Sequence, residues 1–391
     1  MDLRHVSGII CELNPLHNGH KRLLDFASAG GKSPVVCILS GNFVQRGDAA
    51  LFDKWARCQA ALACGADLVI ELPLSWAMAG AERFALGGVA LATAAGCTRL
   101  VFGSECGDTD LLQTTAEYLT DADFTHDLHT APNDEQMLPF AIRRERAIAR
   151  RLGETAAEAI RKPNNILAIE YCKAIQTLQA DIKPETCLRQ GASHDGPIEN
   201  DSASASALRK LFLAGKSEQA ASFMPPAVHF LKDTPMASIS RLEAAILYHL
   251  RTACPEDFAQ TPDVREGLEN KILAAARQAT TLEELYDLAK SKRYSHARIR
   301  RIVLSYFLGI QNQPALPPYL RVLGMTPTGA ALLKQARLPV VTRACELRDR
   351  NRICQSVFKL ESAADDIYAL AVSPALPAGS NEQHGLIRFG F

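Results

Sequence analysis

The chain has 391 residues, 43 of them basic and 43 acidic, and 47% of it is hydrophobic. The balanced charge means that a nucleic-acid partner can be argued only from local clustering, and the apolar share excludes wholesale disorder. No apolar run reaches the ~18 residues that a membrane span needs, and the length suggests two or three domains of roughly 100–200 residues each.

Met1-Asp-Leu-Arg-His runs directly into an apolar segment, so no signal peptide is expected. Gly8–Cys11 reads as a buried strand. It ends in Glu12-Leu-Asn-Pro-Leu-His17-Asn-Gly-His20, and a helical pattern follows over His20–Ala29. A strand, a glycine-containing turn and a helix start form a natural polyphosphate site, because free backbone N–H groups and the positive helix end face the ligand. Two imidazoles there can donate hydrogen bonds to a phosphate in flight. The four-residue pattern alone also describes two polar loop residues. Its place at the first βα turn, after the turn-forming pair Asn14-Pro15, favours the phosphate reading. A zinc site lacks a Cys-x-x-Cys or acidic partner at suitable spacing, and no Gly-x-Gly-x-x-Gly follows the strand.

Val35–Leu39, Leu68–Leu72 and Leu100–Phe102 read as further buried strands, alternating with helical patterns at Asp53–Cys64 and Glu82–Ala95. Strands apolar on both faces, alternating with helices, predict a parallel sheet covered on both sides, with the ligand crevice at the C-terminal strand ends. His17, Asn42, Glu71 and Gly103 lie at or just past those ends and are expected to converge there. In the loop Ser40–Asp48, Gly, Asn and Arg suit ligand contact or a plain surface turn. Lys54 and Arg57 reach a phosphate or lie on a solvated face. Glu71 orients a ligand or caps the next helix.

Residues 108–179 read as mostly helical, with one helix opening at Pro163-Asn164-Asn165, and Thr186–Arg189 reads as the last strand. Asp201-Ser-Ala-Ser-Ala-Ser206-Ala-Leu-Arg209 then leads into a helix. Its hydroxyls and backbone N–H groups can hold phosphate oxygens, with Arg209 one turn on, or the serines are ordinary helix caps. Beyond Met224-Pro-Pro the pattern changes to amphipathic helices at Ile239–Ala253, Val264–Ala275 and Leu282–Ala289, which places a domain boundary near 225–235. Two basic clusters stand out: residues 143–151, and Lys290, Lys292, Arg293, Arg298, Arg300 and Arg301 with Tyr294 and His296 between them. The second is the better RNA candidate, because its rings can stack on bases. The eleven cysteines have no paired spacing, and several, such as Cys11, Cys37 and Cys97, sit in apolar runs; this predicts reduced, buried thiols in a cytoplasmic protein.

The ordered series Glu12-Leu-Asn-Pro-Leu-His-Asn-Gly-His20, Ser40-Gly-Asn-Phe-Val-Gln-Arg-Gly47, Asp67-Leu-Val-Ile-Glu-Leu-Pro73, Phe102-Gly-Ser-Glu105 and Pro163-Asn-Asn-Ile-Leu167 resembles the bacterial tRNA(Met) cytidine acetate ligase family. The likeness continues through Tyr294-Ser-His-Ala-Arg-Ile-Arg-Arg301, Leu323-Gly324 and Asp365-Asp366-Ile-Tyr368. The resemblance implies a Rossmann-like nucleotidyltransferase domain with a parallel sheet over residues 1–225, followed by an α-helical, tRNA-binding domain over 226–391. It implies that ATP and acetate, with Mg2+ on the phosphates, are used to form N4-acetylcytidine at the wobble position of elongator tRNA(Met). His17 and His20 would then be catalytic. Ile10, Cys11, Glu12, Asn14, Gly19, Gly103, Asn164 or Asn165, Arg189, Ser206 and Arg209 would join them around ATP. Lys292, Arg293, Arg298, Arg300 and Arg301 would hold the tRNA, and no metal ligand is assigned. The N-terminal motifs by themselves also fit a nucleotidyltransferase of small phosphorylated metabolites, and a third reading is an RNA-binding protein with a relic ATP site. The basic helical C-terminus weighs against the former, and the intact set of His17, His20, Ser206 and Arg209 against the latter.

Overall fold

The structure is a computed structural model that describes residues 5–189, 203–265, 267–291, 294–311 and 314–391. The strands expected near the N-terminus form as β1 (Ser7–Cys11), β2 (Val35–Ser40), the short hairpin β3 (Phe43–Val44) and β4 (Asp48–Ala49), β5 (Leu68–Leu72), β6 (Arg99–Ser104) and β7 (Lys183–Leu188). They are joined by helices Asn18–Ser28, Lys54–Ala63, Ala81–Ala94 and Pro163–Thr177. Pairing is parallel in the order β5-β2-β1-β6-β7. From β1 the chain winds to β2 on one side and later crosses to β6 on the other, so the strand order reverses at β1, where open α/β sheets bind ligands.

Every residue of β2 and β5 is buried, and period-two alternation sorts them between two cores. Val36, Ile38, Leu68 and Ile70 share one cluster with Phe84 and Val89 of helix Ala81–Ala94 and with Tyr171 of helix Pro163–Thr177. Val35, Cys37, Leu39 and Val69 face the other way, onto Leu24, Cys58 and Phe212. Continuous apolar runs become strands here because helices cover both faces of the sheet.

The expectation that residues 226–391 are helical needs a correction. Short β8 (Met236–Ala237) pairs with β11 (Val372–Ser373), and helices such as Glu243–Arg251, Leu268–Gln278, Leu282–Ala289 and His296–Phe307 build a third core. The chain then returns to the main sheet. β9 (Leu320–Met325) pairs antiparallel with β5, and β10 (Val340–Val341) and β12 (Ile387–Arg388) pair parallel with β9. Tyr319, Leu320, Val322, Val341 and Val357 belong to the same cluster as β2 and β5. Eight strands thus form the main sheet among the described residues. No helix there is long and apolar enough to cross a membrane. All eleven cysteines are free thiols, and seven of them are buried.

Candidate active site

The first βα turn builds its own anion site. His17 is the N-cap of helix Asn18–Ser28, with extended backbone, and its Nδ1 accepts the Gly19 N–H at 3.0 Å. His20, three residues on, reciprocates: its Nδ1 accepts the His17 N–H at 3.3 Å. This is a capping box made of two imidazoles. The rings pack with centroids 3.9 Å apart. Because each Nδ1 accepts a backbone proton, each neutral ring carries its own proton on Nε2, so both are donors beside the positive helix end. Gly19 is required sterically, since a Cβ there would lie 2.8 Å from His17 Cε1.

Around this turn lies a cavity of about 1150 Å³, mixed polar and apolar. Ile10, Cys11, Glu12, Asn14, His17 and His20 line it from β1 and its turn, Gly103 from the end of β6, Asn164 from the next helix start, and Arg189 from beyond β7. Ser206 and Arg209 line it from helix Ala205–Leu213, and Gln45, Arg46 and Asp48 from the β3–β4 hairpin. Phe84, Phe102 and Tyr171, of the core cluster on one face of the sheet, and Leu167, packed against that cluster, give the cavity apolar lining. Arg209 donates to Asn14 O at 2.7 Å and to Ser206 Oγ at 3.1 Å, so it ties the histidine turn to the serine-rich helix start. Ser204 is the N-cap of that helix, accepting from Ala207 N at 3.2 Å; Asp201 and Ser202 lie outside the described residues. A Cβ on Gly103 would meet Arg189 Cγ at 3.1 Å, so this glycine makes room for the arginine that crosses it.

The two asparagines separate. Asn164 lines the cavity, while Asn165 is buried at 1% exposure and accepts the N–H groups of Glu105 and Cys106. Glu105 reciprocates by capping the helix start, taking Asn164 Nδ2 at 2.7 Å and Asn165 N at 2.9 Å. Asn165 is therefore a structural partner of Glu105 and not a wall residue.

Asn42 and Glu71 are corrected too, since neither lines the cavity. They join a buried polar cluster with Lys54, which is 0% exposed and donates to Glu71 Oε1 at 2.7 Å, Asn381 Oδ1 at 2.8 Å and Asp365 Oδ2 at 2.7 Å. Asn42 donates to Asp365 Oδ1 at 2.8 Å and accepts Lys54 N at 2.6 Å, and Glu361 accepts Leu74 N at 2.5 Å. Burial pushes Asp365 up to about 6, against the pull of Lys54. Burial, with Glu71 beside it, holds Glu361 well above the usual carboxylate range. Arg57 is also fully buried, binding the carbonyls of Phe52, Glu12, Ser40 and Gly41. Lys54 and Arg57 are both 0% exposed and neither lines the cavity; both are scaffold.

The second basic cluster divides as well. Lys292 and Arg293 lie outside the described residues. Arg298 stacks on Tyr294 and donates to Asp263 O, and Arg301 reaches Gln45 O and is largely enclosed. Arg300, with Glu283, lines the cavity itself. Within the loop 40–48, which spacing marks only weakly, Val44, Gln45, Arg46 and Asp48 thus supply cavity wall, and Glu283 carries no motif at all. Among the described residues no group of three or more His, Cys, Asp or Glu gathers as a metal site.

Enzymes that hold a nucleotide at such a switch point, against a His-x-Gly-His helix start, form the HIGH nucleotidyltransferase class. This chain is of that class, for a family model described as HIGH Nucleotidyl Transferase matches residues 4–383. It belongs, within that class, to the tRNA(Met) cytidine acetate ligase family. A tRNA(Met) cytidine acetate ligase of Clostridium perfringens is 33% identical over 399 residues, covering 96% of this chain and 98% of that one. One from Thermoanaerobacter is 35% identical over 401 residues, covering 98% and 99%. The crystal structure of Thermotoga maritima TmcAL bound with alpha-thio ATP superposes with a TM-score of 0.88 at 27% identity, covering 98% of this chain and 99% of that one. Its apo form gives 0.91 at 26% identity, covering 98% and 100%.

Proposed function

We propose that this protein is a cytoplasmic ligase that uses ATP and acetate to acetylate N4 of cytidine at the wobble position, C34, of elongator tRNA(Met). The observation that carries the reading is the imidazole capping box opening onto a switch-point cavity, in a chain similar over its whole length to tRNA(Met) cytidine acetate ligases.

In the first step an acetate oxygen attacks the α-phosphorus of ATP and pyrophosphate leaves, giving acetyl-adenylate. That step needs in-line positioning and donors for the developing phosphate charge. The Nε2–H groups of His17 and His20 supply donors at the α-phosphate, Ser206 and Arg209 hold the departing phosphates, and Asn164 and Arg189 orient the nucleotide. Mg2+ would enter mainly on the phosphate oxygens and waters, as is usual for that ion. In the second step cytidine N4 attacks the acetyl carbon and AMP leaves. C34 lies in a single-stranded loop and can be turned out at low cost. Arg300, on the cavity wall, and Arg298, two residues before it on the same helix, would hold its backbone.

The test is acetate-dependent exchange of labelled pyrophosphate into ATP, with and without tRNA(Met). Exchange is expected to require acetate and to fall by on the order of 10²–10³ in His20→Ala, while tRNA affinity persists. Absence of exchange with ATP binding intact would instead favour a phosphorylated metabolite as acceptor.

A further inference from the structure

We infer that Asp48 is the proton acceptor of the acetyl-transfer step, receiving the proton that cytidine N4 sheds as it is acylated. The inference rests on the functional reading above. Cytidine N4 shares its lone pair with the ring and is a poor nucleophile. Once the N4–acetyl bond forms and the C–O bond to AMP breaks, with its electron pair leaving on the AMP phosphate, the nitrogen must lose a proton. A positioned base that takes it during bond formation contributes about 10²–10⁴.

The cavity offers few groups for this. Both histidines have Nδ1 engaged by backbone N–H groups and present donors, not acceptors. Among the described residues three carboxylates line the wall: Glu12, Asp48 and Glu283. Glu283 holds Arg300 Nη2 with both oxygens, at 2.7 and 3.0 Å. Glu12 accepts Gln45 N at 2.8 Å and so fastens the hairpin. Among the described residues Asp48 is hydrogen-bonded by its neighbour alone, Oδ1 accepting Ala49 N at 2.8 Å, on a strand paired through Val44. It lies on the hairpin that docks against helix His296–Phe307, the side from which RNA held by the helical unit would enter. Burial raises its proton affinity, Arg209 and Arg300 oppose that, and Glu283 adds to it. A carboxylate of raised affinity that still ionises is the better base.

The experiment compares full-length wild type, Asp48→Asn, Asp48→Glu and Glu12→Gln in two assays. One is acetate-dependent pyrophosphate exchange. The other is single-turnover transfer from synthetic acetyl-adenylate to a tRNA(Met) transcript between pH 5 and 8.5. Asp48→Asn is expected to keep exchange within about threefold, lose about 10²–10⁴ in transfer, and lose the acid limb of the pH–rate profile; Asp48→Glu recovers part of the rate. Wild-type transfer rates in Asp48→Asn would overturn the inference. So would a proportionate loss of exchange, or loss of the acid limb in Glu12→Gln instead. A wild type that does not acetylate from acetyl-adenylate would overturn the functional reading itself, and this inference with it.

Discussion

At the scale of single residues, the chain spends its charges in two different ways. His17 and His20 are three apart, so one helix turn brings them together, and their roles are legible in the local sequence. Lys54 is not legible in that way. It sits one residue after a cap, in a pattern shared with many solvated helix starts, and its partners Asp365 and Asn381 come from over 300 residues away. Burial works against its ammonium, but Asp365, Glu71 and Glu361 outweigh it, so it titrates above its ordinary value. Lys54→Met keeps the volume and removes the ammonium that bonds Glu71, Asp365 and Asn381. Breaking such a buried pair is expected to cost about 3–5 kcal/mol. The sign of its pH dependence follows from Asp365. Its folded value, about 6, lies above its unfolded one, so its contribution is present in acid and lost as pH rises through 6. Without Lys54 the carboxylates resist ionisation more strongly. The deficit in urea melts is therefore expected to be larger at pH 8 than at pH 5. An equal deficit at both would mean that these carboxylates do not feel the ammonium.

Among elements, the alternation of strands and helices up to β6 was readable because β1, β2 and β5 are apolar and buried almost throughout, and helices begin at signals such as Asp53 capping Lys54–Ala63 or Pro163 at a first turn. The β3–β4 hairpin was readable only as a loop, because two-residue strands carry no periodicity. What fixes it is contact. Gly47 has φ +73°, and a Cβ there would lie 2.5 Å from Arg301 N and 2.6 Å from Arg300 C, so the turn sits flush on the backbone of helix His296–Phe307. That docking holds Gln45, Arg46 and Asp48 in the cavity wall. Gly47→Ala adds overpacking of about 1–3 kcal/mol to a left-handed cost of about 1–2 kcal/mol, and it displaces the hairpin. Gly215 has the same φ of +73° with nothing within 4 Å, so Gly215→Ala bears the conformational cost alone. Thermal melts and acetylation assays on the two variants are expected to show a lower midpoint in both, with at least a tenfold loss of kcat/KM only for Gly47→Ala. Equal activity in the two would show that the hairpin need not dock.

For the molecule as a whole, the change of pattern near residues 225–235 marks a real local transition, yet not the end of the first structural unit. Local hydropathy reports which face of a segment is buried, not which distant strand buries it. Leu320–Met325 is six residues, five of them fully buried, lost between longer helical patterns; its partner strand β5 lies some 250 residues earlier. The helical unit is therefore an insertion between two parts of one sheet, and the two lobes cannot be parted by a single cut. Truncation after residue 225 would strip β9 from β5, leaving Leu68, Val69 and Ile70 on an unpaired apolar edge, the arrangement that invites aggregation. It would also uncover the core now filled by Tyr319, Leu320, Val322 and Val341, and would take Asp365 and Glu361 away from Lys54. Residues 1–225 alone are expected to lack a cooperative melt and to run as aggregates on gel filtration, although they carry His17, His20, Ser206 and Arg209. A fragment that melted cooperatively and still exchanged pyrophosphate would show that the nucleotide site is self-sufficient. The returning strands would then serve only to seat the helical unit.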